Sequence, residues 1–141
     1  MAEVSVSTRI SAPADEVWRL VGGWNALPDW HPGVEKSEIR QGGHLRHVRL
    51  ADGTEITERL EDIESDERTY TYSITSSPLP VTNYRSTITV RAEGNTSIVE
   101  WSTNFEPVGA PEADVVRSLS DFYQAGFDNL KKLLSRPKAT E

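Results

Sequence analysis

The stretch His44-Leu45-Arg46-His47-Val48-Arg49-Leu50-Ala51-Asp52-Gly53-Thr54-Glu55-Ile56-Thr57-Glu58-Arg59-Leu60 alternates apolar and polar residues on both sides of a turn. Period-two alternation marks half-buried strands, and Asp52-Gly53 marks the reversal between them. Loop length then decides which residues face each other. A three-residue loop, Ala51-Asp52-Gly53 with Gly53 left-handed, sets Leu50 against Thr54, Val48 against Ile56 and Arg46 against Glu58 on one face. On the other face it sets Arg49 against Glu55 and His47 against Thr57. A two-residue turn would instead oppose Arg46 to Arg59 and Arg49 to Ile56. Opposite charges across a strand pair are favourable by up to about 1 kcal/mol, and like charges repel. The three-residue register is therefore expected, and it leaves an arginine and a glutamate on the apolar face.

Outward from this hairpin the same period continues. Strands are expected near residues 3–11, 34–40, 44–50, 54–64, 68–76, 83–93 and 96–106, separated by turn-rich links such as Ser65-Asp66-Glu67 and Gly94-Asn95. Ser77-Pro78-Leu79-Pro80-Val81-Thr82 is a longer, proline-bearing loop. Short links between successive strands imply an antiparallel meander. Two short helical segments follow the first strand: one opened by Pro13 and ended by Gly22-Gly23, the next around Leu27-Pro28-Asp29-Trp30. After Phe105 the period becomes three and four. Val115, Val116, Leu119, Phe122, Tyr123, Gly126, Phe127, Leu130, Leu133 and Leu134 give the apolar face of one helix of about 24 residues. Glu112 and Asp114 suit its positive start, and Lys131 and Lys132 its negative end.

The expected fold is α+β: a seven-stranded, curved antiparallel sheet gripping a long C-terminal helix, with two short helices after the first strand. One domain over residues 1–136 with a short tail at 137–141 suits the length of 141 residues. A curved sheet closed by a helix leaves a concave space, the usual place for a small ligand.

Register carries side chains into that space. Leu60 is expected opposite Tyr72, Glu58 opposite Ile74, Val90 opposite Val99, Ile88 opposite Trp101, Ser86 opposite Thr103 and Tyr84 opposite Phe105. The inward face is then apolar except for Arg46, Glu58 and Tyr84, and charges on such a face are costly unless paired or hydrated. They form either an internal salt bridge beside a phenol or the polar end of a cavity. Gly126 either relieves crowding over the cavity or is a tolerated helix glycine.

Composition excludes several function classes. There is no cysteine, so disulfide scaffolds and thiolate metal sites are ruled out. His44 and His47 lie three apart on a strand and face opposite ways, so no metal is expected. The net charge of −7 argues against binding nucleic acid. No apolar run reaches the ~18 residues of a membrane span, and the first residues lack a leader-like pattern, so a cytoplasmic protein is expected. Nucleotide-binding glycine motifs and a Gly-x-Ser-x-Gly elbow are absent, and no cofactor is expected. Trp18, Trp24, Trp30 and His31 read as core or lid packing, with ligand contacts as the alternative.

Thr57-Glu58-Arg59-Leu60-Glu61, Asp66-Glu67-Arg68 and Asn83-Tyr84-Arg85-Ser86 resemble the abscisic-acid receptors, and Gly43-His44-Leu45-Arg46, Glu58 and Tyr72-Ser73-Ile74 resemble lachrymatory-factor synthase. Both are branches of the helix-grip superfamily of START-type lipid-binding domains, pathogenesis-related allergens and polyketide cyclase/dehydrase-like proteins. The resemblance implies that fold and an apolar ligand cavity. In the synthase branch, the residues matching Arg46, Glu58 and Tyr84 are implicated in rearranging a small sulfenic acid. In the receptors, a lysine matching Lys36 holds the ligand carboxylate. The chain departs from the receptors at their gate loop, where it has Ala51-Asp52-Gly53, and at their latch, where it has Leu79-Pro80-Val81.

Three functions are open at this stage. The first is binding of a small, mostly apolar or amphipathic molecule with a polar or carboxylate end. Val48, Ile56, Leu60, Tyr72 and Trp101 of the sheet and Phe122 and Phe127 of the helix would form the wall, with Arg46, Glu58, Tyr84 and, by resemblance, Lys36 at the polar end. The second is a cofactor-free cyclase, dehydratase or isomerase, with Glu58 as acid/base, Arg46 stabilising an oxyanion and Tyr84 orienting. The third is a partner-binding module. Oligomeric state is left open.

Overall fold

A computed structural model describes residues 1–134. The expected tail at 137–141 and the end of the expected domain lie outside the described residues. In chain order the elements are β1 (Ala2–Ile10), α1 (Ala14–Val21), α2 (Leu27–Trp30), β2 (Val34–Arg40), β3 (Leu45–Leu50), β4 (Glu55–Glu64), β5 (Thr69–Ser76), β6 (Val81–Glu93), β7 (Thr96–Pro107) and α3 (Glu112–Leu134). Single 3-10 turns occupy Gln41–Gly43 and Ser65–Glu67. The seven strands form one antiparallel sheet in the order β1-β7-β6-β5-β4-β3-β2. The meander is continuous, and β1 closes beside β7. The 23-residue helix α3 lies across the concave side with Val115, Leu119, Tyr123, Phe127 and Leu130 buried. This is the helix-grip arrangement expected from the period change after Phe105.

The register of the central hairpin is the one that charge pairing selects. Arg46 faces Glu58, Val48 faces Ile56 and Arg49 faces Glu55. The Leu50 N–H donates to the Thr54 carbonyl at 2.8 Å, which closes the three-residue loop. Gly53 sits at φ +92°, a conformation costly for any residue with a Cβ.

Elsewhere, bulges adjust the pairing. The β4–β5 link holds four residues rather than three, with Arg68 left-handed at φ +52°. Glu64 consequently pairs with Thr69. A shift between Leu60 and Asp62 absorbs the difference, and Leu60 meets Tyr72 and Glu58 meets Ile74 as expected. The β6–β7 pairing matches expectation from Val90–Val99 to Ser86–Thr103, then shifts between Thr82 and Arg85. Tyr84 sits in that irregularity, beside Asn83 at φ +52°, instead of squarely opposite Phe105. Its side chain still turns inward and is buried.

The four aromatic or imidazole side chains near the short helices belong to the core, with Trp18 partly buried at its margin. His31 is fixed at both nitrogens: Nδ1 accepts the Gly33 N–H at 3.0 Å, and Nε2–H donates to the Phe122 carbonyl at 2.7 Å. Its ring stacks on Phe122 at 4.0 Å. Burial pulls its pKa below the usual imidazole value, while hydrogen bonding to the Phe122 carbonyl and to its own backbone acts the other way. A Cβ on Gly126 would lie 2.5 Å from His31 Cδ2, so this helix glycine provides the close approach that lets the imidazole fit under α3. Asn129 adds a second tie by donating from Nδ2 to the Trp30 carbonyl at 3.0 Å.

Candidate functional site

The space between sheet and helix is not filled. A cavity of about 220 Å³ remains, walled by Val48, Ile56, Glu58, Tyr72, Ile74, Tyr84 and Trp101 from the sheet and by Ser118, Leu119, Phe122 and Tyr123 from α3. Leu27 and Val34 contribute from α2 and β2. Its mouth is marked by lining residues that also reach solvent: Asp52 and Thr54 of the hairpin, Leu79 of the long loop, and Ser118. Asp52 is held in place by the Thr54 N–H, which donates to its Oδ1 at 2.9 Å; hydrogen bonding by the Thr54 hydroxyl, and then by that N–H, lowers its pKa.

Arg46 and Glu58 do pair, but not as equal partners in the cavity. Arg46 Nε and Nη2 both donate to Glu58 Oε1, at 2.9 and 2.5 Å. Nη1 donates to the Trp24 carbonyl at 2.7 Å. The guanidinium carbon lies 3.9 Å over the Trp24 ring and 5.3 Å from the Tyr72 ring centre. Arg46 is 0% exposed and is absent from the cavity wall. Burial alone would weaken its hold on its proton. Attraction to Glu58, with smaller contributions from the Tyr70 and Tyr72 phenols, outweighs that and the net shift is upward.

An arginine–carboxylate fork commonly engages both carboxylate oxygens. Here one oxygen takes both N–H groups. Glu58 Oε2 accepts no hydrogen bond from any described residue, while Glu58, its side chain 8% exposed, lines the cavity. Oε2 is also not among the fully buried unpaired atoms, so it retains accessible surface.

Beside it runs a ring of hydroxyls. Trp101 Nε1–H is shared between Tyr72 Oη at 3.1 Å and Ser86 Oγ at 3.0 Å. Tyr72 Oη lies 3.3 Å from Tyr84 Oη, which lies 2.5 Å from Tyr123 Oη. Tyr123 Oη lies 2.6 Å from Thr103 Oγ1, which lies 2.8 Å from Ser86 Oγ, and Ser86 donates to the Ser102 carbonyl at 3.3 Å. Burial raises the pKa of all three phenols: Tyr72 and Tyr84 well above the usual value, Tyr123 to about 12. Like-signed neighbours add to the shift at Tyr72 and Tyr84, whereas hydrogen bonding with Thr103, Tyr84 and Ser86 moderates it at Tyr123.

Among the residues expected at the site, Val48, Ile56, Glu58, Tyr72, Tyr84, Trp101 and Phe122 are on the wall. Four are not. Arg46 is sealed behind Trp24 and Glu58. Leu60 is only partly buried and lies beyond the wall. Phe127 is fully buried one turn along α3, near Trp30 and Trp101, where it fills the end of the hollow. Lys36 points outward. A bulge between Val34 and Lys36 reverses the parity of β2, so Ser37 takes the inward position opposite Val48 and Lys36 pairs with Arg49 on the outer face. Sequence reasoning missed Tyr123, Ser86 and Thr103 as polar partners. Ser86 and Thr103 share the parity of Tyr84, which was the available signal; Tyr123 was read only as part of an apolar helix face.

Among the described residues, no cluster of three or more His, Asp or Glu side chains could hold a metal ion. None of the described helices is long and apolar enough to cross a membrane.

A family model described as polyketide cyclase / dehydrase and lipid transport matches residues 1–135. The chain belongs to this family. It is similar to the protein XoxI from Bacillus cereus, with 42% identity, a TM-score of 0.94 and 96% of each chain covered. It is 25% identical to the MLP-like protein 423 of Arabidopsis thaliana over 92% of this chain and 91% of that protein. A START superfamily protein from Mycobacterium smegmatis shares the fold at 12% identity, with a TM-score of 0.82 and 94% and 97% of the two chains covered. Membership agrees with the superfamily expected from the sequence.

Proposed function

We propose that this protein binds a small, mostly apolar molecule in the cavity under α3, with the polar end of that molecule against Glu58 and the phenols of Tyr72, Tyr84 and Tyr123. The observation that carries this reading is the cavity of about 220 Å³ between sheet and helix, lined by Glu58, one of whose carboxylate oxygens accepts no hydrogen bond from any described residue. An apolar cavity of about 150 Å³ accepts benzene, so this space suits a body near the size of two fused rings. Removing apolar ligand surface from water supplies the affinity, at about 25 cal/mol per Å² before association costs.

The free carboxylate oxygen also supports a second reading, in which Glu58 is the general base of a cofactor-free cyclase, dehydratase or isomerase. Tyr84 would orient the substrate. Arg46 would hold Glu58 in place from behind, since it has no path to an oxyanion in the cavity.

The test is native mass spectrometry of the purified protein and of Leu119→Trp, followed by extraction of any bound molecule. Leu119 lines the cavity near its mouth, so the indole fills the space without disturbing Glu58. We expect a co-purified or added apolar molecule to be retained by the native chain and lost in Leu119→Trp. Equal retention by both would place binding elsewhere and overturn the reading.

A further inference from the structure

The polar end of the cavity consists of acceptors, and this decides the class of ligand. Three observations converge. First, Glu58 is the charged residue of the inner wall and its Oε2 accepts no hydrogen bond from any described residue, whereas Arg46, the cation that would receive a carboxylate, is fully buried off the wall with three of its five N–H groups engaged on Glu58 and Trp24. Second, Lys36 is outside on β2. Third, the hydroxyl ring uses up its own hydrogens. In the order Tyr72 to Tyr84 to Tyr123 to Thr103 to Ser86 to the Ser102 carbonyl, every O–H has an acceptor, and the Trp101 N–H feeds the start of the chain. The reverse order would strand the Tyr72 hydrogen and leave the Ser102 carbonyl without its hydroxyl. In the satisfied order the phenol oxygens offer only lone pairs. Donors on the wall are then confined to the mouth, at Thr54 and Ser118.

Charge narrows the class further. Arg46 and Glu58 together are formally neutral. A ligand carboxylate would add a buried negative charge beside Oε2, and a ligand ammonium would leave the buried group net positive. Either is expensive in a low-dielectric space. A neutral hydroxyl adds no charge and gives Oε2 its missing donor.

We propose that the cavity selects a neutral, hydroxyl-bearing apolar ligand, an alcohol or phenol whose O–H donates to Glu58 Oε2, and discriminates against carboxylates and ammonium ions. The selection rests on the binding role proposed above.

The test is a matched panel on the full chain: naphthalene, β-naphthol, β-naphthoate and β-naphthylmethylammonium. Binding is followed by calorimetry and by the indole N–H resonance of Trp101, which lines the cavity. A hydrogen bond to a charged acceptor is worth about 1.5–3 kcal/mol, so β-naphthol should bind at least about tenfold more tightly than naphthalene. Its affinity should be flat between pH 6 and 8. β-Naphthoate should bind only as its neutral acid, so its affinity should fall about tenfold per pH unit over that range. The ammonium should bind more weakly than β-naphthol. In Arg46→Met/Glu58→Leu, the preference for β-naphthol over naphthalene should vanish while naphthalene still binds. If naphthalene binds but β-naphthol is no better, or if β-naphthoate binds as tightly without a pH slope, this inference fails and the cavity reading stands. If no member of the panel binds, the cavity reading fails and takes this inference with it.

Discussion

Replacing Arg46 by methionine tests the central geometry most directly. Methionine keeps much of the length and the packing against Trp24 but removes three hydrogen bonds at once. Glu58 then has a carboxylate on a nearly buried face with no counter-charge. Breaking a buried pair by deleting one member costs about 3–5 kcal/mol. The Trp24 carbonyl loses its donor as well, which adds about 1 kcal/mol if no water replaces it. These contributions overlap, and a total loss of about 4 kcal/mol is expected, close to a thousandfold in the folding equilibrium. The whole of a domain's stability is only about 5–15 kcal/mol. Urea unfolding of Arg46→Met, Glu58→Leu and the double variant gives the comparison. Swapping a whole buried pair for apolar residues is often neutral or stabilising. The double variant should therefore lie within about 1 kcal/mol of the native chain and exceed either single variant by at least about 2 kcal/mol. A stability of Arg46→Met within about 1 kcal/mol of native, or a double variant no better than Arg46→Met, would refute the buried pair.

Two further outcomes follow from the packing. Gly126→Ala should destabilise by about 2 kcal/mol although alanine favours a helix by about 1 kcal/mol, because its Cβ meets a His31 ring that cannot move aside; in a His31→Ala background the same change should be neutral or stabilising, as read by thermal melts of the four chains. The phenols of Tyr72, Tyr84 and Tyr123 are held protonated by burial, so their folded pKa values lie above the unfolded value near 10. The stability they contribute is complete below about pH 10 and falls as pH rises beyond it, because the unfolded chain releases its protons first. Their tyrosinate absorbance should appear only together with loss of the folded circular dichroism signal, and stepwise ionisation of these three in the folded protein would contradict their burial.

What the sequence revealed, it revealed through local rules. Arg46 lies opposite Glu58 because a charge pair and a left-handed Gly53 select one hairpin register over another, and both signals lie within a few residues of each other. Leu60 and Tyr72 were placed correctly through a hairpin whose loop is one residue longer than expected, because the shift after Leu60 cancels the difference. Bulges have no composition signature, and the one after Val34 sent Lys36 to the opposite face from the one its resemblance implied. The sealing of Arg46 was invisible for another reason. Its lid is Trp24, 22 residues earlier in the connection between α1 and α2, and strand parity says nothing about what arrives from a helix. Tyr123 was legible as helix periodicity but not as a hydroxyl in a network, since its partners Tyr84 and Thr103 come from two strands remote in sequence.

The outward turn of Lys36 has a consequence away from any ligand. Among the described residues β2 pairs only with β3, so its other rim offers backbone groups that a second sheet could pair with. Glu35, Lys36, Glu38 and Arg40 stand exposed along that short strand, and the kink after Val34 spoils its straightness. Alternating charges and a bend are how open sheets avoid stacking edge to edge into aggregates. The side chain that resemblance cast as an anchor for a small molecule here helps to keep one copy of the chain from zipping onto the next.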